Sequence, residues 1–481
     1  MRMNEYKMDI GLEIHIELST DTKIFCKCST QFGCEPNVNT CPVCTGMPGA
    51  LPVLNKQAVR YAAAVGDALN CKINTISKFD RKNYYYPDNP QNYQITQFYT
   101  PICENGYLEI DTIDGKKNIG IREIHMEEDA GKLLHNDLKN VSFIDYNRAG
   151  VPLIEIVTMP DFSNGDEVTC FLEKLRLIIQ YLQVSDCKLN EGSMRVDVNL
   201  SVRKKECEEL GTRTEMKNLN SFRAIKRAID NEASRQIEVL KNGGIIDMET
   251  RRWDDLKEES FVMRSKEEAK DYRYFPEPDL PMVYVDDAML KDIELSKPQF
   301  RHEKNDYYIN ELKIPEYDAK LITLDYDMTV LFEETVKICD KPKNISNWLI
   351  GEANRILKEK EWDACDIKMS PKNFAMFVNM VSEGIINSNV AKVVFEKMFL
   401  EDINPEKYVE ENGLKQNSDG EMIKKIVQDV INDNEQSVRD YKAGKDKAIG
   451  YLVGQVMKKA AGKANPKLVN ELLLEELRKD M

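Results

Sequence analysis

The sequence predicts an α+β protein. A mostly antiparallel, cradle-like sheet domain with a zinc ribbon or knuckle comes first, then an all-α domain and a small α-helical tail. Three observations predict it: period-two alternation recurs through the first three hundred or so residues, two cysteine pairs interrupt it early, and charged helices take over from about Ser296. The expected divisions are 1–295, with the thiol site at 26–44, then 296–410 and 411–481. At 481 residues the chain exceeds what one core fills. No run approaches the roughly twenty apolar residues of a membrane span, and MRMNEYKMDIGLE lacks the apolar stretch of a signal peptide, so a cytoplasmic location is expected. Twelve cysteines without a secretory leader argue for reduced thiols. A net charge of -15 excludes a surface basic all over, but not a local basic patch.

The first strand shows in Ile10, Leu12, Ile14, Ile16 and Leu18, which alternate with Glu13, His15 and Glu17. Its polar face is either solvated or a divalent-metal edge, and the stretch alone decides neither. Cys26-Lys-Cys28 and Cys41-Pro-Val-Cys44 then offer four thiolates on two turns, the pattern of a closed structural zinc site, with Cys34 as a spare thiol or as the alternative ligand should Cys26 or Cys28 point away. Asn55 to Leu69 has helical spacing. In the following KFDRKNYYYPDNPQNYQITQFY, cations including Arg81 and Lys82 interleave with rings including Tyr84, Tyr86 and Tyr93, which suits a nucleotide or a nucleic-acid end.

The densest stretch runs from Ile121 to Val157. It gathers Glu123, His125, Glu127, Glu128, Asp129 and Lys132, and then sets Glu155 among Val151, Leu153, Ile154, Ile156 and Val157. A bare carboxylate there is costly, so Glu155 needs either a salt-bridge partner or a metal. Asp166 to Gln183 reads as an amphipathic helix, and Lys188 to Arg203 as a strand with Arg195 and Asp197 on its polar face. Ser221 is placed to cap a helix ending before Asn242-Gly243-Gly244, and DYRYFPEPDLP sets Arg273 between Tyr272 and Tyr274 in a rigid segment. Near the end, Lys445, Lys447, Lys458, Lys459 and Lys463 belong to a basic island fit for nucleic acid.

IGLEIHIEL, FDRKNYYYPDNPQNYQITQ, HMEEDAGK, NRAGVPLIEIV, EGSMRVDVN, KNLNSF and DYRYFPEPD, in this order, resemble the B subunit of the bacterial aspartyl/glutamyl-tRNA(Asn/Gln) amidotransferase along the whole chain. The resemblance implies an ATP-dependent ligase. The side-chain carboxylate of Glu-tRNA(Gln) or Asp-tRNA(Asn) is phosphorylated, then amidated by ammonia from a glutaminase A subunit, with a small C subunit completing a heterotrimer. It implies Mg²⁺ held by Glu13, His15, Glu128 and Glu155, with Glu127 as a catalytic neighbour and Lys82 as a catalytic cation. Arg81, Tyr84, Tyr86, Tyr93, Lys132, Asp197 and Arg273 would bind the nucleotide or the tRNA end. Cys26, Cys28, Cys41 and Cys44 would hold structural Zn²⁺, and the basic island would bind tRNA. Besides a stand-alone metallohydrolase, which would turn over substrate without ATP or partner subunits, two rivals remain at this level. One is a non-catalytic zinc-containing tRNA-binding protein, for which Glu155 has no use. The other is an aminoacyl-tRNA synthetase suggested by Lys368-Met369-Ser370, although Ser370-Pro371 reads better as a helix cap.

Overall fold

A computed structural model describes residues 5–136, 140–265, 271–416, 420–442, 445, 447–460, 464 and 466–479. Two compact units result, Met1–Phe300 and Arg301–Met481. The first unit runs past the helix Asp287–Leu295 because Arg60 binds Asp292 and Ser296 at 2.7 Å each, Lys297 pairs with Asp67 at 2.7 Å, and Phe300 packs on the first core.

Alternation becomes one large sheet. Its central strands are Met194–Lys204, Tyr6–Glu17, Pro152–Thr158 and Gly115–Glu128, each antiparallel to the next. Thr214–Lys217, Glu249–Asp254 and Glu259–Ser265 extend one side, where Thr214–Lys217 and Glu249–Asp254 form the parallel pair. Tyr93–Thr96, Asp80–Asn83 and Phe275–Pro276 extend the other. Side chains on a strand alternate between faces. Ile10, Leu12, Ile14 and Ile16 therefore meet Ile154, Ile156, Val196 and Val198 in the core, while Glu13, His15 and Glu17 share the opposite face.

The apolar face is covered by the helices Lys56–Ala68, Gly165–Tyr181 and Phe222–Lys241. Each has a side-chain N-cap, from Asn55, Asn164 and Ser221 respectively, which satisfies an otherwise unpaired N–H of the first turn. Helix Phe222–Lys241 is also locked by charge. Glu232, fully buried, accepts from Thr214 Oγ1 at 2.8 Å, Gln236 Nε2 at 2.8 Å and Arg235 Nη2 at 2.7 Å.

The second unit is helical in its described residues, around two apolar clusters, one between Tyr308 and Val409 and one between Ile423 and Leu477. Ser370 caps the helix Pro371–Ser382, so the Lys-Met-Ser sequence serves a helix start. Among the described residues no helix is long and apolar enough to cross a membrane. The cysteine segment departs from a full ribbon: turns dominate, and its described β pairing is the single bridge Thr22–Ser29.

Removing the Glu232 carboxylate would leave Arg235 and Arg251 to share Glu249 alone. Glu232→Ala should lower the unfolding free energy by about 3 kcal/mol, read as a lower urea midpoint at unchanged slope. A loss under about 1 kcal/mol would show the network to be dispensable.

Candidate active site

The site is built by register. Arg195 lies opposite His15, His15 opposite Glu155, and Glu155 opposite His125, which makes one row of polar residues across four strands. Glu155 is clamped between two imidazoles, with Oε2 at 3.4 Å from His15 Nε2 and 3.1 Å from His125 Nε2. Glu127 joins from the adjacent register position, at 3.7 Å from His15 and 3.9 Å from His125, and its carboxylate also accepts from Thr96 Oγ1 at 3.2 Å.

Charge is tightly balanced here. Burial opposes ionisation of Glu155, but His125 and His15 hold it well below the usual carboxylate range. Burial likewise opposes the His125 imidazolium, yet Glu155 and Glu127 outweigh it and push its pKa up to about 9. His15 is raised for the same reasons, more weakly. Lys82 stands with its ammonium 5.1 Å above the Tyr272 ring, and the Glu127 carboxylate overcomes burial to keep it charged.

One donor atom each from His15, Glu127 and Glu155 lie within 4.8 Å of one another. A divalent ion with bonds of about 2.1 Å spaces its octahedral ligands roughly 3.0 to 4.2 Å apart, so the imidazole and two carboxylates fit such an ion. His125 Nδ1 is buried with no hydrogen-bond partner among the described residues. Beside this group, Glu13 meets Asp197 and Glu215 within the same 4.8 Å. Lys217 neutralises part of that second group through Asp197 and through Glu215 at 2.9 Å, and burial together with Glu155 raises the Glu13 pKa.

Glu128 does not join them. It follows Glu127 by one residue and so faces the other side of the sheet, where Ile95 N–H donates to it at 2.9 Å and the Gln91 amide also binds it. Burial pushes its pKa up to about 8. There it helps to line a cavity of about 60 Å³ with Lys23, Cys44 and Tyr93. Arg81 is already committed. Its guanidinium is bound by Glu277 at 2.5 and 2.9 Å and by Asp279 at 3.1 Å, and it lies 4.2 Å from the Tyr93 ring centroid. Tyr84 is half-buried and makes an edge contact with Tyr272, whereas Tyr86 is exposed. Lys132 belongs to a separate two-stranded sheet, Lys132–Asn136 with Val141–Asp145, and is exposed. Arg273 is exposed at φ 44°, with its N–H on Asp271 at 3.0 Å. In the second unit Lys445 and Lys459 pair with Asp440 at 3.0 Å and Asp433 at 2.6 Å, Lys447 and Lys458 are exposed, and Lys463 lies outside the described residues.

The four thiols converge. Cys44 Sγ lies 4.0 Å from Cys28 and 3.9 Å from Cys41, and all four sulfurs are within 4.8 Å of one another, without Cys34. Tetrahedral zinc with Zn–S bonds near 2.3 Å spaces its sulfurs about 3.8 Å apart, so the thiols fit zinc. A hydrogen bond from Cys26 and the Lys23 ammonium at 3.4 Å draw the Cys44 pKa down to about 4, which favours a thiolate ligand.

His125, Arg195, Glu215 and Lys217 complete the floor, although the sequence did not mark them as site residues. The alternation in Thr214-Glu-Met-Lys217 was the available signal for the last two, and the register to Glu155 was the missing fact for His125.

This polar sheet floor and the helical second unit belong to a recognised class. Residues 8–291 match the family described as the GatB/GatE catalytic domain, and residues 330–477 match the one described as the GatB domain. Similar proteins, each named as the B subunit of an aspartyl/glutamyl-tRNA(Asn/Gln) amidotransferase, occur in Agathobacter rectalis, 60% identical over 99% of this chain and 100% of the relative, and in Lachnospira eligens and Caldicellulosiruptor bescii, each 55% identical with the same coverage. The chain belongs to the family of aspartyl/glutamyl-tRNA(Asn/Gln) amidotransferase B subunits, part of a glutamine-dependent ligase.

The folded state binds the His125 proton more tightly than the unfolded chain does, so this group's contribution to stability is complete below about pH 6.5 and is lost as pH rises towards about 9. In chelator-treated protein the His125 C2–H resonance should titrate near pH 9. A midpoint near 6.5 would show that Glu155 does not hold the proton on this ring.

Proposed function

We propose that this chain carries the kinase and transamidase steps on tRNA. The γ-phosphoryl group of ATP passes to the side-chain carboxylate of Glu-tRNA(Gln) or Asp-tRNA(Asn), giving ADP and an acyl phosphate. Ammonia then attacks the carbonyl carbon, phosphate leaves, and a proton is lost to give Gln-tRNA(Gln) or Asn-tRNA(Asn). The observation that carries this reading is Glu155 clamped by His15 and His125 beside Glu127 and Lys82.

Bringing ATP to a carboxylate sets two anions together, and this floor supplies cations to offset that. Lys82 is the uncommitted one, held over Tyr272 and free of a short ion pair among the described residues. His15, Glu127 and Glu155 would hold Mg²⁺, with the Glu13, Asp197 and Glu215 group alongside. Bound there, the ion would supply charge neutralisation and orientation for the transferring phosphate. His125 keeps Glu155 ionised, and therefore ready to ligate, whereas His15 would ligate as the neutral imidazole after giving up its proton. Arg81 acts indirectly, fixing the Phe275–Pro276 strand through Glu277.

The thiol cluster is read as a structural Zn²⁺ knuckle, since four protein ligands close the coordination sphere. The sheet domain to residue 295 is assigned the chemistry, and the tail 411–481 beyond the helical segment 296–410 the binding of tRNA, with Lys447 and Lys458 as the exposed tail cations. A glutaminase A subunit and a small C subunit complete a cytoplasmic heterotrimer, and the names of the relatives support a multi-subunit assembly.

Glu155→Gln in the assembled enzyme should cut ATP- and glutamine-dependent amidation by about a hundredfold or more, leaving tRNA affinity and glutaminase turnover in place. Amidation at the parental rate would refute the assignment. Cys41→Ser with Cys44→Ser should abolish zinc binding, from about one ion per chain, and lower the melting temperature. Unchanged melting would remove zinc from the folding account.

A further inference from the structure

Four aromatic rings outside the metal group form a continuous run. Tyr272 meets Tyr274 edge-on at 6.0 Å, Tyr274 stacks on Phe98 at 4.0 Å and 11°, and Phe98 meets Tyr99 edge-on at 5.0 Å. Phe98 and Tyr99 are 53% and 56% exposed, so burial does not account for their alignment. Backbone locks hold it instead. The N–H groups of Phe98 and Tyr99 both donate to Asp80 Oδ2, at 2.9 and 3.1 Å, and Tyr99 Oη donates to the Tyr274 carbonyl at 3.4 Å. Two lysines stand over the run: Lys82 is 5.1 Å above Tyr272 and Lys78 is 5.7 Å above Tyr99.

Rigid exposed rings flanked by cations are the means by which proteins hold single-stranded nucleic acid, with bases on the rings and phosphates on the ammonium groups. Four rings in sequence exceed what the one adenine of a nucleotide can use. The run also lies beside the chemistry. Thr96 touches Glu127 at 3.2 Å, and Phe98 lies two residues further, at most about 7 Å of chain. A terminal nucleoside seated there would present a group esterified to its ribose to His15, Glu127 and Glu155.

We infer that Phe98, Tyr274 and Tyr99, with Lys78, form a base-stacking shelf for the unpaired 3′ end of RNA. This assignment rests on the function proposed above and deepens it by naming the residues that seat the substrate's end. The shelf lies apart from Tyr86 and Tyr93, and it positions substrate without touching the reacting bond.

The probe is an RNA minihelix with a single-stranded 3′ end carrying 2-aminopurine as its last base, titrated into the full chain. Stacking should quench its fluorescence, and excess ATP should leave the quench in place. Phe98→Leu, of similar apolar character but without a ring face, should weaken binding about tenfold, and Phe98→Trp should restore it. In the assembled enzyme Phe98→Leu should raise KM for misacylated tRNA by a similar factor while kcat stays within about twofold. Quenching equal in Phe98→Leu and the parent, or displacement of the probe by ATP, would overturn the shelf. So would a loss of partner association in place of loss of the quench, which would mark the rings as a protein-docking surface. If the parent enzyme amidates tRNA and only the Phe98 effects are missing, the shelf fails alone. If the parent complex does not amidate, the function proposed above fails.

Discussion

Glu155 is the group on which the rest of the site depends. A carboxylate in the middle of a sheet is tolerable only if charge meets it, and here two imidazoles from the flanking strands do so at 3.4 and 3.1 Å. That demand propagates outward. The imidazolium groups need Glu127, Glu127 takes a hydrogen bond from Thr96, and the strand bearing Thr96 aligns Lys82 through the Tyr93–Thr96 pairing with Asp80–Asn83. The polar face is therefore a single electrostatic unit, and its protonation states are set by neighbours more than by solvent.

The apolar side of the same sheet makes this arrangement tenable. Ile14, Ile16, Ile154 and Ile156 are fully buried beneath capped helices, so the strands cannot slip by one residue without exchanging a core for a cluster of charge. Register is thus specified from below, and the spacing of the polar groups on the opposite face follows from it. Glu232 and its arginines add a second lock at the end of the sheet.

The stretch between Lys78 and Tyr99 shows what composition leaves out. Cations beside rings suggested a nucleotide site containing Arg81 and Tyr93, but the charge of Arg81 is taken up by Glu277 and Asp279, and its guanidinium covers Tyr93. The aligned rings come from two distant segments, Phe98 and Tyr99 from one and Tyr272 and Tyr274 from the other, so no window of sequence displays them together. The tail repeats the lesson, since Lys459 and Lys445 are ion-paired within their own unit.

Sequence alone determined what depends on local periodicity and spacing. Alternation in Asp9–Leu18 and Met194–Arg203 marks one-sided strands, the Asn55 and Ser221 caps mark helix starts, and the two cysteine pairs bring four thiols within reach of one ion. Tertiary structure alone decided which polar residues share a face. Glu127 and Glu128 are neighbours in the chain, and the family resemblance implied Glu128 as the ligand, but the pleat sends only Glu127 to His15 and Glu155. His125 gains its role solely because its strand lies beside Pro152–Thr158 in that register. Local pattern reveals that a strand has a polar side; the identity of what stands opposite is a long-range pairing, which no local pattern encodes.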